Sequence, residues 1–136
     1  MVPGLDIDSF HNMLEELSEE IPEALFRELN GGIVTLPEAR IHAKSGTPRL
    51  YTMGEYRVQI PGLGRYIAIF YGSFMRVYGA NPNPRTLRRE LRKTLLHEFR
   101  HHMESLAGER DLEIIDKQKL QEYMNVVEKN SDFTAD

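Results

Sequence analysis

The 136 residues read as one α+β domain, with a short mixed or antiparallel sheet packed on a long helix and further helices at both ends of the chain. Three features lead there. The length suits a single hydrophobic core, so residues 1–136 are expected to form one domain. Apolar residues recur at helical spacing near both ends and after Pro84, whereas two central segments alternate or run continuously apolar. Clusters of Gly, Pro and Asn separate these patterns at the places where turns are needed.

In chain order, Phe10, Met13, Leu14, Leu17 and Ile21 follow the helical rule, and Asp6 or Asp8 can cap residues 8–19. Pro22 suits the first turn of a second short helix carrying Leu25, Phe26 and Leu29, which Asn30, Gly31 and Gly32 stop. Residues 33–36 form a short apolar run closed by Pro37, a strand signal. From 37 to 54 the pattern is weak, and loops around at most one short strand are expected. Residues 56–60 and 66–71 then read as two strands of a hairpin joined by Pro61-Gly62-Leu63-Gly64. Gly72, Gly79 and Asn81-Pro82-Asn83-Pro84 break the chain before the long helix. That helix should begin near residues 84–86 and run to Ala107, with Leu87, Leu91 and Leu95 on its core face and Gly108 just past its end. A last helix over residues 116–128 carries Leu120, Tyr123, Met124 and Val127, and the tail over residues 130–136 reads as disordered.

Composition narrows the chemistry. The chain is 40% hydrophobic and 28% charged, with no cysteine and no tryptophan, which excludes disulfides and thiolate metal ligands. No segment approaches the length of a membrane span, and residues 1–10 lack the pattern of a secretory signal, so a cytoplasmic location is expected. A net charge of −4 provides no global attraction for nucleic acid.

Reactive side chains concentrate in residues 97–111, which contain H-E-x-x-H as His97, Glu98 and His101. On a helix, residues four apart lie about 40° apart around the axis and about 6 Å apart along it, so both imidazoles can reach one ion. Glu98 can swing its carboxylate toward a water on that ion without being a ligand, the arrangement that makes a hydroxide nucleophile. Zn²⁺ is the expected cofactor and a hydrolase, most simply a metalloprotease, the expected activity. Two carboxylates compete for the third ligand position. Glu104 shares the helix face of both histidines, and its side chain leans back toward them. Asp111 would arrive from a separate segment after Gly108, which makes a better tetrahedron and favours it. The carboxylate that is not a ligand would orient a histidine by accepting its other ring N–H.

Thr94-Leu95-Leu96-His97-Glu98-Phe99-Arg100-His101-His102, with the preceding Ile69-Phe70-Tyr71-Gly72-Ser73-Phe74, resembles the minimal zincin-like metallopeptidases, a small bacterial family with the motif H-E-x-x-H-x-x-G-x-x-D. The likeness extends in layout over roughly residues 8–115. It implies a small zincin-like domain in which His97, His101 and Asp111 bind zinc and Glu98 is the base. One departure stands out. Glycine and aspartate come four residues later than in the motif, as Gly108 and Asp111, and Glu104 holds the motif's glycine position. One extra helical turn moves the following loop by about 5 Å.

The expected reaction is hydrolysis of a peptide or protein substrate by a metal-activated water, with Glu98 taking the proton and passing it to the leaving amine. The strand over residues 66–71 could offer an edge to an extended substrate. The rival is a non-catalytic metal-binding or protein-interaction module on the same scaffold. His102 faces about 100° away from His101 and is read as a surface residue or one that orients a ligand; His11 and His42 are read as structural or surface residues. Tyr71, Tyr78 and Tyr123 could each supply a hydroxyl but are read as packing. Arg85, Arg88, Arg89, Arg92 and Lys93 crowd the start of the long helix, where pairing with Glu90 or with the acids of 109–116 is favoured over a nucleic-acid partner. No feature of the sequence indicates the oligomeric state.

Overall fold

The computed structural model describes residues 6–42, 50–60, 64–80, 83–108 and Glu122. The first helix, α1 (Ile7–Glu19), starts where Asp6 accepts a hydrogen bond from the Ser9 backbone N–H at 2.8 Å, and it buries Phe10, Met13, Leu14 and Leu17. Leu25 of the following segment is buried as the spacing predicts, but that segment is a single 3-10 turn, Glu23–Phe26, and ends before Leu29. Glu28 adopts a φ of 63°, which turns the chain out of helix before β1 (Gly32–Leu36).

Two corrections follow in the middle of the chain. Between residues 37 and 54 there are two short strands, β2 (Arg40–Ile41) and β3 (Tyr51–Thr52), paired antiparallel as a small ribbon. A strand of two residues leaves no alternation to detect. The hairpin of β4 (Gly54–Ile60) and β5 (Gly64–Phe70) forms as predicted, with a register shift between Arg57 and Ile60, but β5 is not an edge. It is the central strand of the order β1-β5-β4, parallel to β1 and antiparallel to β4. The sheet is therefore mixed, and β4 borders the side of interest.

Tyr71 belongs to a helix rather than to β5. Helix α2 (Tyr71–Tyr78) follows the strand directly and contains Gly72. There glycine permits a close approach: a Cβ would lie 2.4 Å from the Glu38 carbonyl carbon and the Ala39 nitrogen, so it is packed against the chain between β1 and β2 rather than breaking the helix.

The long helix α3 (Pro84–Gly108) begins as predicted, with the Asn83 side chain accepting from the backbone N–H groups of Arg85 and Thr86 at 2.9 and 3.3 Å. It runs through Gly108 rather than stopping before it. Leu87, Leu91, Leu95 and Phe99 join the α1 side chains, Ile67 and Ile69 of β5 and Phe74 of α2 in one core. Among the described residues no helix is long and apolar enough to cross a membrane. The expected helix over residues 116–128 lies outside the described residues except for Glu122, which is helical, and the expected disordered tail lies outside them altogether.

Candidate functional site

Helix α3 divides its surface among three neighbours by the helical period. The row of Leu87, Leu91, Leu95 and Phe99 is buried in the core. One step round, Thr94, Glu98 and His102 lie beneath β4, with Glu98 5% and His102 0% exposed. A further step round, Lys93, His97 and His101 face outward into a cleft of about 830 Å³. Its other walls are β4, through Gly54, Glu55 and Tyr56, and the β2–β3 ribbon, through Arg40, Ile41 and Tyr51.

His97 and His101 converge. Their Nε2 atoms are 3.1 Å apart, with the rings edge to face at 4.6 Å between centroids. Two imidazole nitrogens on one tetrahedral zinc at ordinary bond lengths are about 3.3 Å apart, so the pair fits a shared ion. Glu98 lines the same cleft. Burial pushes its carboxyl above the usual carboxylate range, Glu55 adds to the rise, and His101 opposes it. Such a group holds a proton more readily than a solvated carboxylate, which suits transfer from water to a leaving group.

The third position is not filled by Glu104 as it stands. Its Oε1 lies 3.3 Å from His101 Nδ1, the ring nitrogen that faces away from His97. From there it can fix the histidine tautomer that presents Nε2 to an ion. Among the described residues no group of three potential ligands converges, and Asp111 lies outside them.

His102 is neither a surface residue nor turned to the cleft. Its Nε2–H donates to the Arg27 carbonyl at 2.7 Å, and its Nδ1 accepts from the Tyr56 hydroxyl at 2.7 Å. A carbonyl can only accept, so the proton sits on Nε2. Burial holds this imidazole below the ordinary histidine value. His11 bonds Thr35 Oγ1 through Nδ1 at 2.8 Å, as a structural residue, while His42 lines the cleft.

Neither described candidate tyrosine borders the cleft. Tyr71 packs edge-on against Phe10 and Tyr78 stacks on Phe74, and Tyr123 lies outside the described residues. The cleft tyrosines are Tyr51 and Tyr56. Arg40 also escaped sequence reasoning: it stacks on Phe70 with its Cζ 4.4 Å from the ring centroid and bonds Glu55 at 2.9 Å. Isolated residues on short strands leave no periodic signal that could have marked them.

The basic cluster pairs with acids on or just after α1 and on α3 itself, and the acids of residues 109–116, the other expected partners, lie outside the described residues. Arg88 binds Glu16 and Arg92 binds Glu20 at 3.3 Å, clamping α3 to α1. Glu90 takes Arg89 at 3.3 Å and Lys93 at 3.9 Å.

No protein-family model matches the chain. No curated protein matches it either. Among solved structures, a conserved hypothetical protein from Thermus thermophilus superposes with a TM-score of 0.64 at 37% sequence identity, over 76% of this chain and 99% of that one. With that identity over nearly the whole of the thermophile protein, this chain belongs to the same family as the Thermus thermophilus protein.

Proposed function

We propose that the protein is a zinc-dependent metallopeptidase of the minimal zincin-like kind. The observation that carries this reading is the 3.1 Å approach of the His97 and His101 Nε2 atoms in the cleft that buried Glu98 also lines. His97 and His101 would hold the ion, with Asp111 as the third ligand and Glu104 behind His101. A zinc ion bound there supplies Lewis acidity to a water and to a substrate carbonyl. Glu98, desolvated and inclined to hold a proton, takes one from the attacking water and returns it to the departing amide nitrogen.

Strand β4 takes over the docking role that the sequence suggests for β5. The Phe70 N–H donates to the Met53 carbonyl at 2.9 Å, so by antiparallel alternation the N–H and C=O of Gly54 point away from β5. An extended peptide laid along that side would have its backbone held beside Glu98, with little demand on its side chains. A cytoplasmic location is part of the same reading.

The test is Glu98→Gln in the zinc-loaded protein, with peptide mixtures followed by mass spectrometry. Wild-type zinc content with hydrolysis abolished is the expected result. Unchanged hydrolysis in the variant overturns the assignment of Glu98, and zinc binding without turnover in the wild type supports the non-catalytic module instead.

A further inference from the structure

Two contacts determine how strand β4 lies on helix α3. At Gly54 the approach is so close that a Cβ would sit 2.9 Å from Thr94 Cγ2 and 3.3 Å from Glu98 Cγ. Two residues on, the Tyr56 hydroxyl reaches His102 Nδ1 at 2.7 Å and the two rings lie 5.3 Å apart. Two strand residues span about 6.6 Å and four helical residues about 6 Å, so the step from Gly54 to Tyr56 matches the step from Glu98 to His102. The strand therefore runs along the helix with its register pinned at both ends of one turn. His102 carries the second pin to a third element through the Arg27 carbonyl at 2.7 Å, beside the left-handed turn at Glu28.

A buried space of this size needs no imidazole to fill it, since an apolar side chain would cost less to desolvate. What an imidazole adds is direction. With both ring nitrogens engaged by different elements, the network is fully satisfied and admits one relative placement of helix, strand and N-terminal layer. Sliding β4 by two residues would bring a side chain to the place where only Gly54 fits.

We propose that His102 is a positioning residue, which through Tyr56 holds the β4 wall of the cleft in register with His97, Glu98 and His101. The hydrolytic part of its test rests on the peptidase reading, whereas the placement itself can be measured without turnover. In the full-length zinc-loaded protein, Tyr56→Phe removes one oxygen and leaves the packing in place. The expected result is a fall in kcat on peptides of about 10- to 100-fold, with KM and zinc affinity unchanged. A bond that merely stabilised the fold would change the melting temperature and leave kcat per folded molecule alone. His102→Gln, whose amide can donate to Arg27 and accept from Tyr56, should recover kcat relative to His102→Leu. In metal-free protein, the nuclear Overhauser effect between Gly54 Hα and the Thr94 methyl reads the register directly and should weaken in Tyr56→Phe. Wild-type kcat in Tyr56→Phe, equal kcat in the two His102 variants, or an undiminished Gly54–Thr94 effect each overturns the proposal. Zinc binding without hydrolysis in the wild type would overturn the peptidase reading alone, and the Overhauser measurement would still decide the role of His102.

Discussion

Adding a single methyl group at Gly54 strikes the contact between the sheet and helix α3 where it is tightest. In Gly54→Ala the new Cβ would meet Thr94 Cγ2 at 2.9 Å and both Glu98 Cγ and Ile69 Cδ1 at 3.3 Å, against the roughly 3.5–4.0 Å at which carbon atoms attract one another. Relief is limited. Thr94 is β-branched and restricted at χ1 on a helix, and Ile69 is wholly buried. Overpacking of this kind costs about 1–3 kcal/mol, while alanine returns about 0.4–1 kcal/mol by restricting the unfolded chain. The net loss is about 1–2 kcal/mol, a fall in melting temperature of about 3–8 °C for a domain of this size. Urea and thermal unfolding of the metal-free proteins measure it. Because one of the displaced atoms belongs to Glu98, hydrolysis by the zinc-loaded variant should fall by more than the loss of folded protein explains. A Gly54→Ala protein as stable as the wild type would show that β4 and α3 are not in contact at this point.

Two further outcomes are expected. Asp6→Ala removes the acceptor that bonds the Ser9 N–H at 2.8 Å, and should lower the unfolding free energy in urea by about 1 kcal/mol; an unchanged midpoint would show that this helix end needs no cap. His102 confers a pH dependence whose sign follows from its burial. Its folded pKa lies below the ordinary value of 6.5, so between the two the unfolded chain binds more protons and stability rises with pH. The contribution is fully present above 6.5 and is lost as the pH falls toward the folded value. Between about pH 7.5 and about pH 5 the urea midpoint of the metal-free wild type should fall relative to that of His102→Gln; parallel curves would contradict a neutral buried imidazole.

What could be foreseen from the sequence was what periodicity encodes. Phe10 to Leu17 and Leu87 to Leu95 repeat at helical spacing and are buried on one face each, and the paired strands around Pro61-Gly62-Leu63-Gly64 alternate or run apolar. Elements defined by contact rather than repetition were missed. The β2–β3 ribbon is two residues deep, and Gly72 is explained only by the Glu38 backbone against it. The same division runs through the site. The spacing of His97 and His101 is a property of one helix, and their convergence follows from it. The burial of Glu98 and the engagement of His102 depend on β4, whose position comes from pairing far along the chain.

On the proposed peptidase reading, the place where this chain differs from the minimal zincin-like motif has a physical consequence on α3. Where the motif places glycine, this chain has Glu104, a residue that favours helix interiors by about half a kcal/mol over glycine. Helix α3 accordingly continues past Glu104 to Gly108. Glu104 Oε1 lies 3.3 Å from His101 Nδ1, where a carboxylate can pair with a protonated imidazole or orient a neutral one. A glycine at this position could do neither. Relative to the motif, this chain therefore exchanges an early helix end for a carboxylate beside the second histidine.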